Sequence, residues 1–137
     1  MDKTTTGGCL CGAVRYEING KLRHIVNCHC AKCRRFHGHY GAYTSVPVPH
    51  LTLVSQKTLT WFDSVTDETP GVQRGFCSVC GAALFWAPEG RENISVAAGS
   101  LDDASELKTI GHIWLSQKAE YYTVSDELPK FQERWES

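Results

Sequence analysis

Hydrophobic and polar positions alternate along this chain in short bursts. Residues 13–18 (AVRYEI), 43–46 (YTSV), 51–55 (LTLVS), 58–62 (TLTWF), 72–76 (VQRGF), 82–86 (AALFW) and 93–97 (NISVA) set β-branched or aromatic residues among polar ones at near period two. That pattern predicts strands with one face buried. Glycine and proline punctuate the runs, and residues 63–71 (DSVTDETPG) read as a loop with Pro70-Gly71 as its turn. Helical signals are few: a turn or two from Ala31 to His37, ended by Gly38, and a turn after Pro129. No repeat or low-complexity linker divides the chain. The expected fold is therefore mainly β, one domain over residues 1–137, with folded sheets and few short helices.

Composition narrows the setting. The formal net charge is −1 and the isoelectric point is near 6.6, so the basic excess that nucleic-acid or membrane-surface binding needs is missing. The opening MDKTTTGG has no apolar signal core, and the longest apolar runs, 82–87 and 94–98, are far too short to span a bilayer. The expectation is a cytoplasmic protein with no nucleic-acid or membrane partner, in a compartment where thiols stay reduced. Edge strands in a small β domain leave a homodimer open.

Against that background the cysteines stand out. Seven occur in 137 residues, an odd number that excludes a fully paired disulfide framework. They fall in three groups: Cys9-Leu10-Cys11-Gly12, Cys28-His29-Cys30-Ala31-Lys32-Cys33 and Cys77-Ser78-Val79-Cys80-Gly81. Thiolates clustered at such spacings point to zinc ahead of redox dithiols or iron–sulfur, and a thioredoxin-like site lacks its βαβ setting here. The first and third groups look alike: each ends in Cys-Gly and each leads into a strand. A glycine just after a ligand permits a tight left-handed turn that aims backbone N–H groups at sulfur. Two such turns facing one another close a four-thiolate site, which assigns Cys9, Cys11, Cys77 and Cys80 to one structural zinc. In the middle group, Cys28 and Cys30 face one side of an extended segment, while Cys30 and Cys33 share a face of a helical turn. The three converge, and three protein ligands with an open position is the catalytic pattern. The expected cofactor is zinc, two per chain, the second held by Cys28, Cys30 and Cys33.

The neighbouring residues offer further candidates. Arg34 and Arg35 follow the third ligand directly. They would offset the net −1 of zinc with three thiolates or clamp a substrate carboxylate, unless they are ordinary surface residues of a short helix. His37 is the rival: as a fourth ligand it would close a Cys3His structural site, although Gly38 ends the helix beside it. His29 should point away from the metal. His112, within residues 110–115, is a candidate acid/base in the cleft or else a packed strand histidine. Residues 99–103 (GSLDD) either line the cleft or form a strand-exit turn whose aspartates satisfy local N–H groups. Trp61, Phe62, Phe85, Trp86 and Trp114 read first as core, with some available to wall a pocket.

The segments GGCLCGAVRYE, NCHCAKCRRFHG, FCSVCGAALFW, AGSLDD and HIW…K, between residues 7 and 132, resemble the glutathione-dependent formaldehyde-activating enzyme/centromere protein V family. The resemblance implies an Mss4-like fold, in which folded antiparallel sheets surround a zinc ribbon-like site. It implies the same division of the cysteines, with Cys9, Cys11, Cys77 and Cys80 on a structural zinc and Cys28, Cys30 and Cys33 on a substrate-facing one. It also implies carbon–sulfur bond formation or cleavage: a lyase-type reaction of a small-molecule thiol with a carbonyl electrophile. The namesake case joins glutathione and formaldehyde into S-(hydroxymethyl)glutathione. Zinc suits that chemistry, because coordination favours the thiolate, which is the nucleophile toward an aldehyde carbon. Polarisation of the carbonyl oxygen is the other role open to it. Arg34, Arg35 and His112 are the candidate substrate contacts. Tyr121-Tyr122 stands where the family often has a tryptophan. The same fold also allows a non-catalytic, zinc-stabilised binding module, which would have a closed second site and an exposed apolar patch.

Overall fold

Ten strands and one helix build the computed structural model, which describes residues 3–65 and 69–136. The elements are β1 (Thr4–Gly8), β2 (Arg15–Asn19), β3 (Ile25–Cys28), α1 (Ala31–His37), β4 (Gly41–Pro47), β5 (Leu51–Ser55), β6 (Leu59–Asp63), β7 (Val72–Cys77), β8 (Ala83–Pro88), β9 (Asn93–Ala97) and β10 (Thr109–Ile113). They form a three-stranded sheet ordered β1-β2-β5 and a seven-stranded sheet ordered β10-β3-β4-β9-β8-β7-β6.

The mainly β expectation holds, and the alternating runs land on β2 and β4 to β9. In β2 the pattern is plain: Tyr16 and Ile18 turn inward while Glu17 and Asn19 face solvent. The helix spans Ala31 to His37, and Gly38 closes it in the left-handed conformation at φ 88° with its N–H on the Arg34 carbonyl. Residues 66–68 of the expected 63–71 loop lie outside the described residues.

Three strands lack the alternating signature. β1 (TTTGG) buries Thr5 and Gly7, with no large apolar residue to mark its inner face. β3 is four residues long and buried throughout, so it has no polar face to alternate with. β10 pairs parallel to β3, so the larger sheet is mixed and not purely antiparallel. Its direction follows from connectivity: residues 98–108 cross from β9 past β4 and β3 to the sheet's edge, and such a crossover returns a strand in parallel. The helical turn expected after Pro129 is also absent. There the chain runs extended beside β10, with His112 N–H on the Pro129 carbonyl (2.9 Å) and Phe131 N–H on the His112 carbonyl (2.9 Å). The edge of β10 would otherwise leave those groups unpaired.

Between the sheets lies the main core, where Val14, Tyr16, Ile18, Val46, Leu84, Phe85 and Val96 pack together. Tyr16 meets Phe85 edge-on at 5.4 Å between ring centroids, and burying each large side chain contributes roughly 1.5–3 kcal/mol. Trp61 and Phe62, expected in the core, are instead exposed. They sit on β6, the outermost strand, where Trp61 lays one ring face on Phe85 (5.8 Å) and presents the other to solvent. A second cluster of Cys28, Cys30, Cys33 and Tyr43 packs against Trp86, Ile113 and Trp114. Among the described residues, no helix is long and apolar enough to cross a membrane.

Candidate metal centres and active site

The first and third cysteine groups occupy the tips of two hairpins, β1–β2 and β7–β8, one from each sheet. Their turns are built alike. Cys9 N–H donates to the Val14 carbonyl (3.1 Å) and Cys77 N–H to the Ala82 carbonyl (3.1 Å). Gly12 and Gly81 follow the second cysteine of each at φ 83° and 77°. That left-handed backbone disfavours any side chain. It brings N–H groups to sulfur, as where Val14 N–H donates to Cys9 Sγ at 3.2 Å. Cys9 and Cys11 Sγ lie 3.7 Å apart, and Cys11 and Cys77 Sγ 3.8 Å. An ion with four sulfurs at about 2.3 Å in a tetrahedron sets them about 3.8 Å apart. The donor set of Cys9, Cys11, Cys77 and Cys80 therefore fits a tetrahedral metal, and all four sulfurs lie within 4.8 Å of one another. The Thr58 hydroxyl, 3.3 Å from Cys77 Sγ, helps lower that thiol to about 6, backed by the backbone N–H of Cys80. Backbone N–H groups of Ala82 and Cys11 lower Cys80. The Cys77–Cys80 turn thus favours the ionised sulfur that a metal needs, whereas at Cys11 the Ala13 N–H is outweighed by burial and the neighbouring thiols, which push it up to about 11.

The middle group forms where β3 runs into α1. Cys28 ends the strand, Cys30 is the helix N-cap, and Cys33 lies in the first turn. Cys30 Sγ accepts the N–H of Cys33 at 3.3 Å, so one sulfur both caps the helix and joins the cluster. All three residues are buried, and their sulfurs also lie within 4.8 Å of one another. Thiol donation from Cys28 and then Cys33, with the Cys33 N–H, makes Cys30 the easiest of the three to ionise. Among the described residues no fourth histidine, cysteine or carboxylate joins this group. His37 engages Tyr43 Oη in a short hydrogen bond, and burial lowers its pKa to about 4.

These cysteines form one wall of a cavity of about 250 Å³. Trp86, Trp114 and Ile113 supply apolar walls, and Gln117 lines it while accepting the Ala31 N–H at 2.9 Å. Trp114 has φ 57°, alone among the described non-glycine residues in the left-handed region. That conformation costs of order 1–3 kcal/mol, and the strap after β10 holds it, with Trp114 N–H on the Glu133 carbonyl (2.8 Å).

Arg74 reaches the cluster from β7. It is 3% exposed. Nη1 lies 3.8 Å from Cys33 Sγ, Nε donates to Ser64 Oγ at 3.3 Å, and the guanidinium covers the Phe36 ring at 5.4 Å. Its charge pulls Cys30 and Cys33 toward the thiolate. A charge-balancing arginine was expected in Arg34 or Arg35, but neither lines the cavity. Arg35 is exposed on α1, and the half-buried Arg34 keeps an Nε with no hydrogen-bond partner. The signal for Arg74 was present: it shares the inward face of β7 with Val72, and a charge on a core-facing position needs a partner.

His112 does not line the cavity. It sits in a buried polar chain with His29, which points away from the cysteines as expected. His112 Nε2 donates to Asp126 Oδ2 (2.8 Å), His29 Nε2 to His112 Nδ1 (2.9 Å) and Tyr122 Oη to His29 Nδ1 (2.6 Å). This is the direction that neutral imidazoles take, since an ionised Asp126 can only accept and so places the His112 proton on Nε2. Hydrogen bonding from His112 lowers Asp126 to about 2, and burial lowers His29 to about 4. Residues 99–103 form the strand-exit turn: Asp102 pairs with Arg15 and accepts from Thr6 Oγ1 (2.6 Å), and Asp103 accepts the Ser105 N–H (2.9 Å).

A sequence profile of the family described as glutathione-dependent formaldehyde-activating enzyme matches residues 4–117. A Halomonas elongata protein, provisionally named a glutathione-dependent formaldehyde-activating enzyme, is 27% identical over 124 residues, covering 86% of this chain and 79% of the relative. A crystal structure of a Rhodobacter sphaeroides protein superposes with a TM-score of 0.57 at 22% identity, covering 91% of this chain and 98% of that one, which is a likeness of fold. The profile takes in all three cysteine groups and both sheets, and the chain belongs to the glutathione-dependent formaldehyde-activating enzyme family.

Proposed function

We propose that this protein is a zinc-dependent carbon–sulfur lyase-type enzyme that interconverts a thiol plus an aldehyde with their hydroxyalkyl thioether adduct, with glutathione and formaldehyde as the reference pair. The observation that carries this reading is the contrast between the two cysteine clusters. Four thiols close on one another at the hairpin tips, while three open onto a cavity. On this reading Cys9, Cys11, Cys77 and Cys80 hold a structural zinc, and Cys28, Cys30 and Cys33 hold the second. When bound there, zinc supplies the positive charge that favours thiolate over thiol in a substrate.

The remaining work falls to the chain. In the forward direction the substrate sulfur forms a bond to the aldehyde carbon, the carbonyl π pair moves to oxygen, and the thiol proton ends on that oxygen. Arg74 offsets the negative charge that three thiolates concentrate in a buried wall. Trp86, Trp114 and Ile113 exclude water and so strengthen the electrostatics at the reacting atoms. Seven unpaired thiols suit a reducing, cytoplasmic setting. The test is the rate of adduct formation from glutathione and formaldehyde, followed by NMR exchange, for wild type and Cys30→Ser. Serine is itself a good N-cap, so the variant keeps α1. Rate enhancement in wild type that is lost in the variant supports the proposal, and equal rates overturn it.

A further inference from the structure

The cysteines do not account for all the positive charge around the cavity. Arg23, Arg91 and Arg134 line it beside Arg74, in a chain whose net charge is −1. Among the described residues no aspartate or glutamate does. Arg74 is engaged with Cys33. Arg23, Arg91 and Arg134 arrive from unrelated places: the β2–β3 connection, the turn after β8 and the strap that follows β10. Arg23 donates to the main-chain carbonyls of His24 (3.1 Å) and Tyr43 (2.9 Å), which fix the guanidinium without neutralising it. Among the described residues, neither Arg91 nor Arg134 pairs with a carboxylate. Like charges brought together from three segments repel, and a bound anion is the simplest compensation.

We propose that Arg23, Arg91 and Arg134 form a carboxylate-recognition rim that makes the cavity prefer thiol adducts carrying carboxylates remote from sulfur over neutral thiols. This rests on the thiol-adduct reading above. The sulfur end faces Cys28, Cys30 and Cys33, the body of the molecule lies between Trp86 and Trp114, and the guanidinium forks meet the carboxylates. A cavity of about 250 Å³ suits a ligand no larger than a short peptide. Arg134 lies beyond the family match at residues 4–117. One arm of the rim is thus contributed by the strap, which is held in place by the Glu133 carbonyl on Trp114 N–H.

The experiment uses S-methylglutathione, whose capped sulfur cannot become a thiolate, and the same molecule with both carboxylates converted to amides. Calorimetric titration of the zinc-loaded protein should show the diacid binding at least about tenfold tighter than the diamide. That preference should shrink with added salt. Arg91 and Arg134 are both exposed, so Arg91→Gln/Arg134→Gln should retain the wild-type melting temperature, lose the preference and keep the diamide affinity. Equal wild-type affinity for the two ligands, absent binding included, or a preference that survives in the double variant, overturns the rim. Turnover with formaldehyde and 2-mercaptoethanol separates the two proposals. Turnover with no diacid preference leaves the enzyme and removes the rim, while a diacid preference with no thiol turned over leaves the rim and removes the enzyme.

Discussion

Arg74 brings a positive charge into the cavity wall beside Cys33. Replacing it with methionine keeps the bulk against Phe36 and deletes the charge. Removing such an outer partner typically lowers metal affinity about 10–100-fold. The expected outcome for Arg74→Met is that loss at the three-cysteine site alone, read by chelator competition. An equal loss at the four-cysteine site would contradict it. His37 gives a pH test. Burial holds its folded pKa at about 4 against an ordinary 6.5, so the neutral ring favours folding fully above pH 6.5, and that contribution fades as pH falls toward 4. Denaturant midpoints of His37→Gln should therefore fall less than those of wild type between pH 6.5 and 4, and parallel curves would count against the buried neutral histidine. At this scale the two cysteine clusters were legible, because the spacing within each group is local. The side chains that meet from distant segments were not: Arg74 follows Cys33 by 41 positions and Tyr122 follows His29 by 93, and no local pattern encodes those meetings.

Among the elements, the two Cys-Gly turns and the strand-to-helix step at Cys28–Cys33 follow from sequence rules that act within a few residues. Gly81 illustrates the cost of breaking one. A Cβ there would meet nothing within 4 Å, so its penalty is purely that of the left-handed backbone, about 1–2 kcal/mol for an L side chain. Gly81→Ala should lower the unfolding free energy by that amount with the same circular dichroism spectrum, and an unchanged midpoint would show that the turn tolerates a side chain. Strands β2 and β4 to β9 were legible because each has an alternating run or a clear turn on either side. β1 was hidden, because threonine and glycine carry its inward positions. β3, buried on all four residues, offers no alternation. The strap beyond Pro129 has no periodicity of its own, since its conformation is set by the open edge of β10 and the ring of Trp135 under Gly111.

For the whole molecule, the proposed function makes the division of seven cysteines into four and three govern both folding and chemistry. The four-thiolate site joins a hairpin of the small sheet to a hairpin of the large one, tying residue 9 to residue 80. Its metal should therefore be part of folding stability. The three-thiolate site lies in a separate cluster against Trp86 and Trp114, and losing its metal should leave the sheets joined. The most direct measurement is zinc per folded chain, by mass spectrometry of the metal, for wild type and Cys30→Ser alongside their melting temperatures. Two zincs in wild type, and one in a variant that still melts cooperatively near the wild-type temperature, is the predicted result. Two zincs retained in Cys30→Ser, or a single wild-type zinc whose loss in the variant unfolds the chain, would contradict the division on which the function rests.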